Sequence, residues 1–200
     1  VCTTRGEVGE IAEGTGATPE TLGEVREAEL RCAAETVGVR ELIFLGYRDS
    51  GMAGTPENDH PGAFCRAGFM EAVGRLVRLI RRHRPDHIAI HHHTVAAFHA
   101  AADGARYPEQ GPAWQAPRLF YTAIPRSFFL RMRDEMAALG MDTSGFARFE
   151  EGGGGGWPDE QVNVVMDVAD AVEAKWSALN CHRTQFGPGN LFRRLPEPTV

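Results

Sequence analysis

An α/β fold, with a mostly parallel sheet covered by helices on both faces in three layers, is predicted by three features of this 200-residue sequence. Segments with apolar residues at helical spacing alternate with short apolar runs of strand length, the rhythm of βαβ units. Clusters of Gly, Pro, Asn and Asp punctuate them. A composition of 42% hydrophobic and 24% charged residues describes one ordinary globular domain over 1–200, long enough to bury a core without staples.

The opening VCTT reads as the tail of a strand entering a loop. Thr18 is placed to cap a helix with Pro19 at its first position, and PETLGEVREAELRCAAETVG keeps helical spacing until Gly38. ELIFLGY (41–47) reads as a strand closed by RDSG, and 52–63 as a loop. A helix is predicted from about Phe64 to His83, and a second helical pattern, PDHIAIHHHTVAAFHAAAD, starts near Pro85. RLFYTAI (118–124) reads as a strand, SFFLRMRDEMAALG as a helix ending at Gly140, and the five glycines of 152–156 as a flexible loop. NVVMDVA (163–169) is a strand candidate, and DAVEAKWSALNCHRTQ a last helix. One place breaks the rhythm: helix follows helix across Arg84 and Pro85, with no strand between.

A formal charge of −6 speaks against a nucleic-acid partner, because a phosphate footprint needs a basic patch. The basic run RLVRLIRRHR carries apolar residues at helical spacing and reads as a helix with a solvated basic face. No run of 18 apolar residues suggests a membrane span, and VCTTRGEVGE lacks the pattern of a signal peptide. Cys2, Cys32, Cys65 and Cys181 lie far apart without a CxxC pair, which suits reduced thiols in a cytoplasmic protein.

In a parallel sheet, ligands gather beyond the carboxyl ends of the strands. Two loops fall there. In TTRGEVGE (3–10), glycines allow close backbone approach, and Arg5, Glu7 and Glu10 offer charge. In GYRDSGM (46–52), Asp49 suits a polyol as a pure acceptor, or closes an Asx turn onto the backbone around Gly51; the two are compatible. Six of the eight histidines fall between His83 and His99. On a helix, His87 and His91 would share a face and offer a metal two ligands, with Asp86 as a third or an orienting partner. His91, His92 and His93 would point in three directions, so a partly exposed histidine-rich helix is the other reading.

TTRGEVGEI, VREAEL, LGYRDSGMAGT, PDHIAIHHHTVAA and AKWSALNCHRTQ, in that order along nearly the whole chain, resemble the LmbE-like, or PIG-L, deacetylases, in particular those acting on N-acetylglucosaminyl-inositol in mycothiol biosynthesis. The resemblance implies a Rossmann-like fold. It also implies a hydrolase with one zinc ion that removes the acetyl group from an N-acetylglucosamine unit, acting on a small-molecule amino sugar. His87 matches a zinc ligand and Asp86 the aspartate before it. Arg26 and Asp49 match residues that hold the substrate. His182 falls in the final motif, with no role implied.

The departures are specific. The family's AHPDD motif, which supplies two zinc ligands and the general base, has no counterpart here. Arg84 stands where the later GHPDH motif has its first, catalytic histidine, and an arginine does not supply a proton at neutral pH. The family also places a strand and a tyrosine-bearing loop between an RPD phrase and GHPDH; here RHRPD runs straight into DHIAIHHH. Residues 84–87 therefore read as a junction, in a domain lacking its first strand–loop–helix unit and one inner strand. Partner subunits, as in a homo-oligomer, or further segments would have to cover the sheet edges. Two other readings stay open: a non-catalytic relative that keeps Arg26 and Asp49 to bind sugar, and a metal-storing histidine helix.

Overall fold

The computed structural model describes residues 1–89, 92–146, 156–188 and 190. They form a mixed α/β structure gathered into two compact units, Val1–Phe44 with Ala123–Val200, and Leu45–Thr122.

In the first unit, α1 (Leu22–Thr36) packs against α5 (Val172–Cys181). Helix α1 begins three residues later than Thr18 and Pro19 suggest. Thr18 and Thr21 close a turn on each other instead, the Thr18 N–H donating to Thr21 Oγ1 at 2.9 Å, and Thr21 takes the cap position. The helix ends as expected before Gly38, which adopts φ +74°. Helix α4 (Arg126–Ala138) buries Met132 and Met136 against Phe128, Phe129, Met141 and Phe146. The expected strand ELIFLGY is reduced to one parallel bridge, Cys2 with Phe44. NVVMDVA forms no strand. Without a neighbouring ladder, Val165 is 84% and Met166 65% exposed.

The second unit is built on α2 (Phe69–His83) and α3 (His92–Ala102). Val73, Val77 and Ile80, at positions i, i+4 and i+7, meet Ala97, Ala100 and Ala101 in its core. Gly74 keeps the interface open, since a Cβ there would lie 3.1 Å from the Tyr107 ring. Strand β1 (His87–Ala89) lies parallel to β2 (Arg118–Phe120) in a two-stranded sheet, with His87 opposite Arg118. This corrects the helix-after-helix reading. Pro85 turns the chain out of α2, and HIA enters a ladder before α3 begins. The RLVRLIRRHR face needs correction too. Arg78 and Arg82 are exposed, but Arg81 is buried at 3% exposure.

Packing of α1 on α5 also overturns the expectation of four reduced thiols. Cys32 and Cys181 form a disulfide across 149 residues, with Cα atoms 5.8 Å apart, while Cys2 and Cys65 are free. Sequence spacing could not show this, because the pairing exists only once the helices meet. Closing so long a loop restricts the unfolded chain, so replacing both cysteines with serine is expected to lower the stability of the first unit by about 3–4 kcal/mol. Thiol titration in denaturant should find two reactive cysteines before reduction and four after.

Candidate functional site

Loop 3–10 is folded around one guanidinium. Arg26, on the second turn of α1, donates from Nη1 to Gly6 O and from Nη2 to Glu10 O, each at 2.7 Å, and from Nε to Thr184 Oγ1 at 3.4 Å. The glycines are there to admit it. A Cβ at Gly6 would lie 2.8 Å from Arg26 Nη1, and one at Gly9 only 2.2 Å. Arg5 pairs with Glu27 and stands 5.1 Å from the Phe44 ring, and its backbone N–H donates to Glu7 Oε2. Arg26 is thus a loop organiser, with much of its five-donor fork committed to the protein.

The RDSG loop belongs to the second unit. Asp49 Oδ1 accepts the Gly51 N–H at 3.2 Å, closing the Asx turn, and Gly51 adopts φ +65°. Around it, Ser50 Oγ accepts from Cys65 N–H at 2.9 Å, and Asn58 Oδ1 accepts from Gly54 N–H at 2.8 Å. Behind the loop, Tyr47 donates its hydroxyl to Glu71, with the Arg75 guanidinium 4.6 Å from its ring centroid.

Desolvation and the hydrogen bond to Glu71 push the Tyr47 hydroxyl up to about 12. A folded-state value above the ordinary one, near 10, favours the folded state while the phenol stays protonated. That contribution is complete below pH about 10 and disappears as pH rises through about 12. The phenolate absorbance lost in Tyr47→Phe should titrate near pH 12, and the variant's stability should fall less steeply across that window.

The junction residues also lie in the second unit. Arg84 closes α2 in the left-handed conformation (φ 46°, ψ 55°), which costs a non-glycine residue about 1–2 kcal/mol. Its guanidinium stands 5.5 Å from the Trp114 ring, and Trp114 Nε1 donates to Pro85 O at 3.3 Å. His87 is exposed on β1 and stacks on Phe120, with ring centroids 5.7 Å apart. Asp86 is exposed beside it. Since His87 is on a strand, it shares no helix face with His91, which lies outside the described residues, as does the side chain of His92. His93 stands 5.0 Å from both Phe64 and Phe69, ring to ring.

Among the described residues, no three His, Cys, Asp or Glu side chains are placed to hold a metal ion. The described residues therefore do not fit a complete zinc site. Asp49, Asp86 and His87 belong to one unit and Arg26 to the other. Besides Arg81, two polar residues, Glu29 and Thr184, are buried among the described residues without having been predicted as site residues. Glu29 lies on the same inward stripe of α1 as Leu22, Arg26 and Ala33, and a charged residue at such spacing is a legible signal. Thr184, in the HRTQ phrase, is 1% exposed.

The model of the family described as PIG-L, GlcNAc-PI de-N-acetylase, matches residues 1–103. The chain belongs to the PIG-L family. Among its relatives are three proteins named 1D-myo-inositol 2-acetamido-2-deoxy-alpha-D-glucopyranoside deacetylase. The one from Geodermatophilus obscurus is 37% identical, covering 83% of this chain and 63% of the relative. That from Thermomonospora curvata is 38% identical, covering 83% and 61%. That from Catenulispora acidiphila, whose name ends in the number 1, is 35% identical, covering 98% and 68%. The chain thus spans about two thirds of the length of these relatives. The Geodermatophilus alignment runs over 187 positions but uses 83% of this chain, about 166 of 200 residues, so about 21 aligned positions have no residue here. For Catenulispora, 221 positions use 98% of the chain, about 196 residues, leaving about 25.

Proposed function

We propose that the chain derives from a zinc-dependent hydrolase that removes the N-acetyl group from an N-acetylglucosaminyl-inositol type of small molecule, on a Rossmann-like three-layer fold. The observation that carries this reading is membership of the PIG-L family, together with relatives named for deacetylating an inositol glucosaminide. The RDSG loop suits the substrate, because it holds a carboxylate acceptor at Asp49. His87 is the zinc ligand the chain retains, with Asp86 beside it.

A seam at residues 84–87 is part of the proposal. The aligned positions without a residue here support a missing internal segment. The left-handed Arg84 supports its location, since a helix that ends in this conformation ordinarily does so at glycine or asparagine.

Sugar binding tests the reading. Titration calorimetry with N-acetylglucosaminyl-inositol should give saturable binding that Asp49→Ala weakens by about tenfold, the scale of one lost charge-assisted hydrogen bond. A chain that takes up no sugar, or that binds it equally well with Asp49→Ala, would sink the proposal.

A further inference from the structure

A chain of hydrogen bonds in the first unit ends on the glycine loop. Both oxygens of the buried Glu29 accept from Thr184, Oε1 from its backbone N–H at 2.7 Å and Oε2 from its hydroxyl at 2.6 Å. With its one proton committed to Glu29, the Thr184 hydroxyl can only accept from Arg26, and Arg26 Nε–H donates to it. The guanidinium is planar and its donors are fixed relative to one another. Holding Nε at Thr184 therefore sets the rotation that aims Nη1 at Gly6 O and Nη2 at Glu10 O.

The same segment meets the far end of the loop. Thr184 O accepts from Ala12 N–H at 2.9 Å, and a Cβ at Gly187 would lie 2.6 Å from Ala12 Cβ. A buried carboxylate is not needed for packing, because apolar residues of similar volume serve a core at least as well. Its use here is directional.

We propose that Thr184, oriented by Glu29, is a positioning residue for the glycine loop. It fixes the Arg26 guanidinium and, through it, the arrangement of residues 3–10 that meets the amino sugar. The sugar half rests on the function proposed above, and the loop half stands without it.

The test compares Thr184→Val, Thr184→Ser and Glu29→Gln by nuclear magnetic resonance. Thr184→Val should lose the protected Arg26 Nε–H signal and speed amide exchange at Gly9 by about tenfold, with α2 amides unchanged. Thr184→Ser, which keeps the hydroxyl, should restore both. Equal behaviour of valine and serine, unchanged Gly9 exchange, or a uniform rise across the first unit overturns the proposal. If the valine variant does not fold, Glu29→Gln decides: it should shift the Arg26 Nε–H signal and speed Gly9 exchange, and unchanged values overturn the idea. Affinity for N-acetylglucosaminyl-inositol should fall with Thr184→Val and recover with Thr184→Ser; a loosened loop with unchanged affinity overturns the sugar half. A parent chain that takes up no sugar counts against the proposed function, and the loop measurements then decide the positioning role alone.

Discussion

Replacing Arg81 with methionine is expected to destabilise the second unit by about 3–5 kcal/mol, because it removes the donor to a whole set of buried and partly buried carbonyls. Its five N–H groups reach six of them, Nη2 sharing its two hydrogens among three: Ala100, Ala101 and Asp103 at the end of α3, and Arg106, Tyr107 and Gly111 in the turns beyond, at 2.6 to 3.1 Å. No carboxylate pairs with it in these bonds. Its charge is instead met by the negative end of the α3 dipole and by the turn carbonyls. Burying a guanidinium is costly, but that cost is already offset in the native structure. The variant would keep the folded turns and lose what satisfies them. Lysine offers three donors from a point charge and should recover less than half the loss. Urea denaturation of the three proteins measures this, and a methionine variant within about 1 kcal/mol of the parent would refute it.

Arg81 also shows where sequence reading stopped. The apolar stripe of α2 is legible from the spacing of Val73, Val77 and Ile80, and Arg81, four residues after Val77, falls on it as the exposed Arg78 and Arg82 do not, but the carbonyls it bonds are not legible from that spacing. What supplies most of them is the path of residues 103–111, a non-local fact. The helices could be read from periodicity and glycine stops, and RLFYTAI does hold a strand, at Arg118–Phe120, whereas the other expected strands do not form. ELIFLGY and NVVMDVA have strand composition, yet a strand exists only where a neighbour supplies a ladder. The three residues of β1, hidden in a helical pattern, found such a neighbour in β2.

The candidate site divides in the same way. Asp49, Asp86 and His87 stand out by loop position and histidine spacing as well as by family motif, and Arg26 by family motif alone, but the geometry around them is not legible in the sequence. Both readings of Asp49 rest on its own short-range chemistry, and the Asx turn is the one that local spacing could foresee. Arg26 was expected to face substrate, and its bonds to Gly6 and Glu10 depend on a loop whose glycines make sense only with the guanidinium in place. Thr184 and the Cys32–Cys181 pair depend on contacts across more than 140 residues, beyond any local pattern.

A protein made of these 200 residues is expected to release no acetate from N-acetylglucosaminyl-inositol and to retain no zinc through gel filtration. A catalytic zinc is held by three protein ligands with a fourth position for water, and the metal makes that water a nucleophile at neutral pH. His87 is exposed on β1, no trio of ligating side chains surrounds it among the described residues, and Arg84 supplies no proton. Without three ligands to hold the metal, no water is activated as a nucleophile at neutral pH. A chimera separates this account from simple misfolding. It would carry a relative's AHPDD-bearing unit ahead of Val1 and that relative's unmatched internal residues between Arg84 and His87. The chimera should bind one zinc per chain and release acetate, and His87→Ala in it should abolish both, while the same substitution in the 200-residue chain changes neither. Zinc-dependent turnover by the unmodified chain would refute the prediction, because a single imidazole would then be doing the work of a full coordination shell.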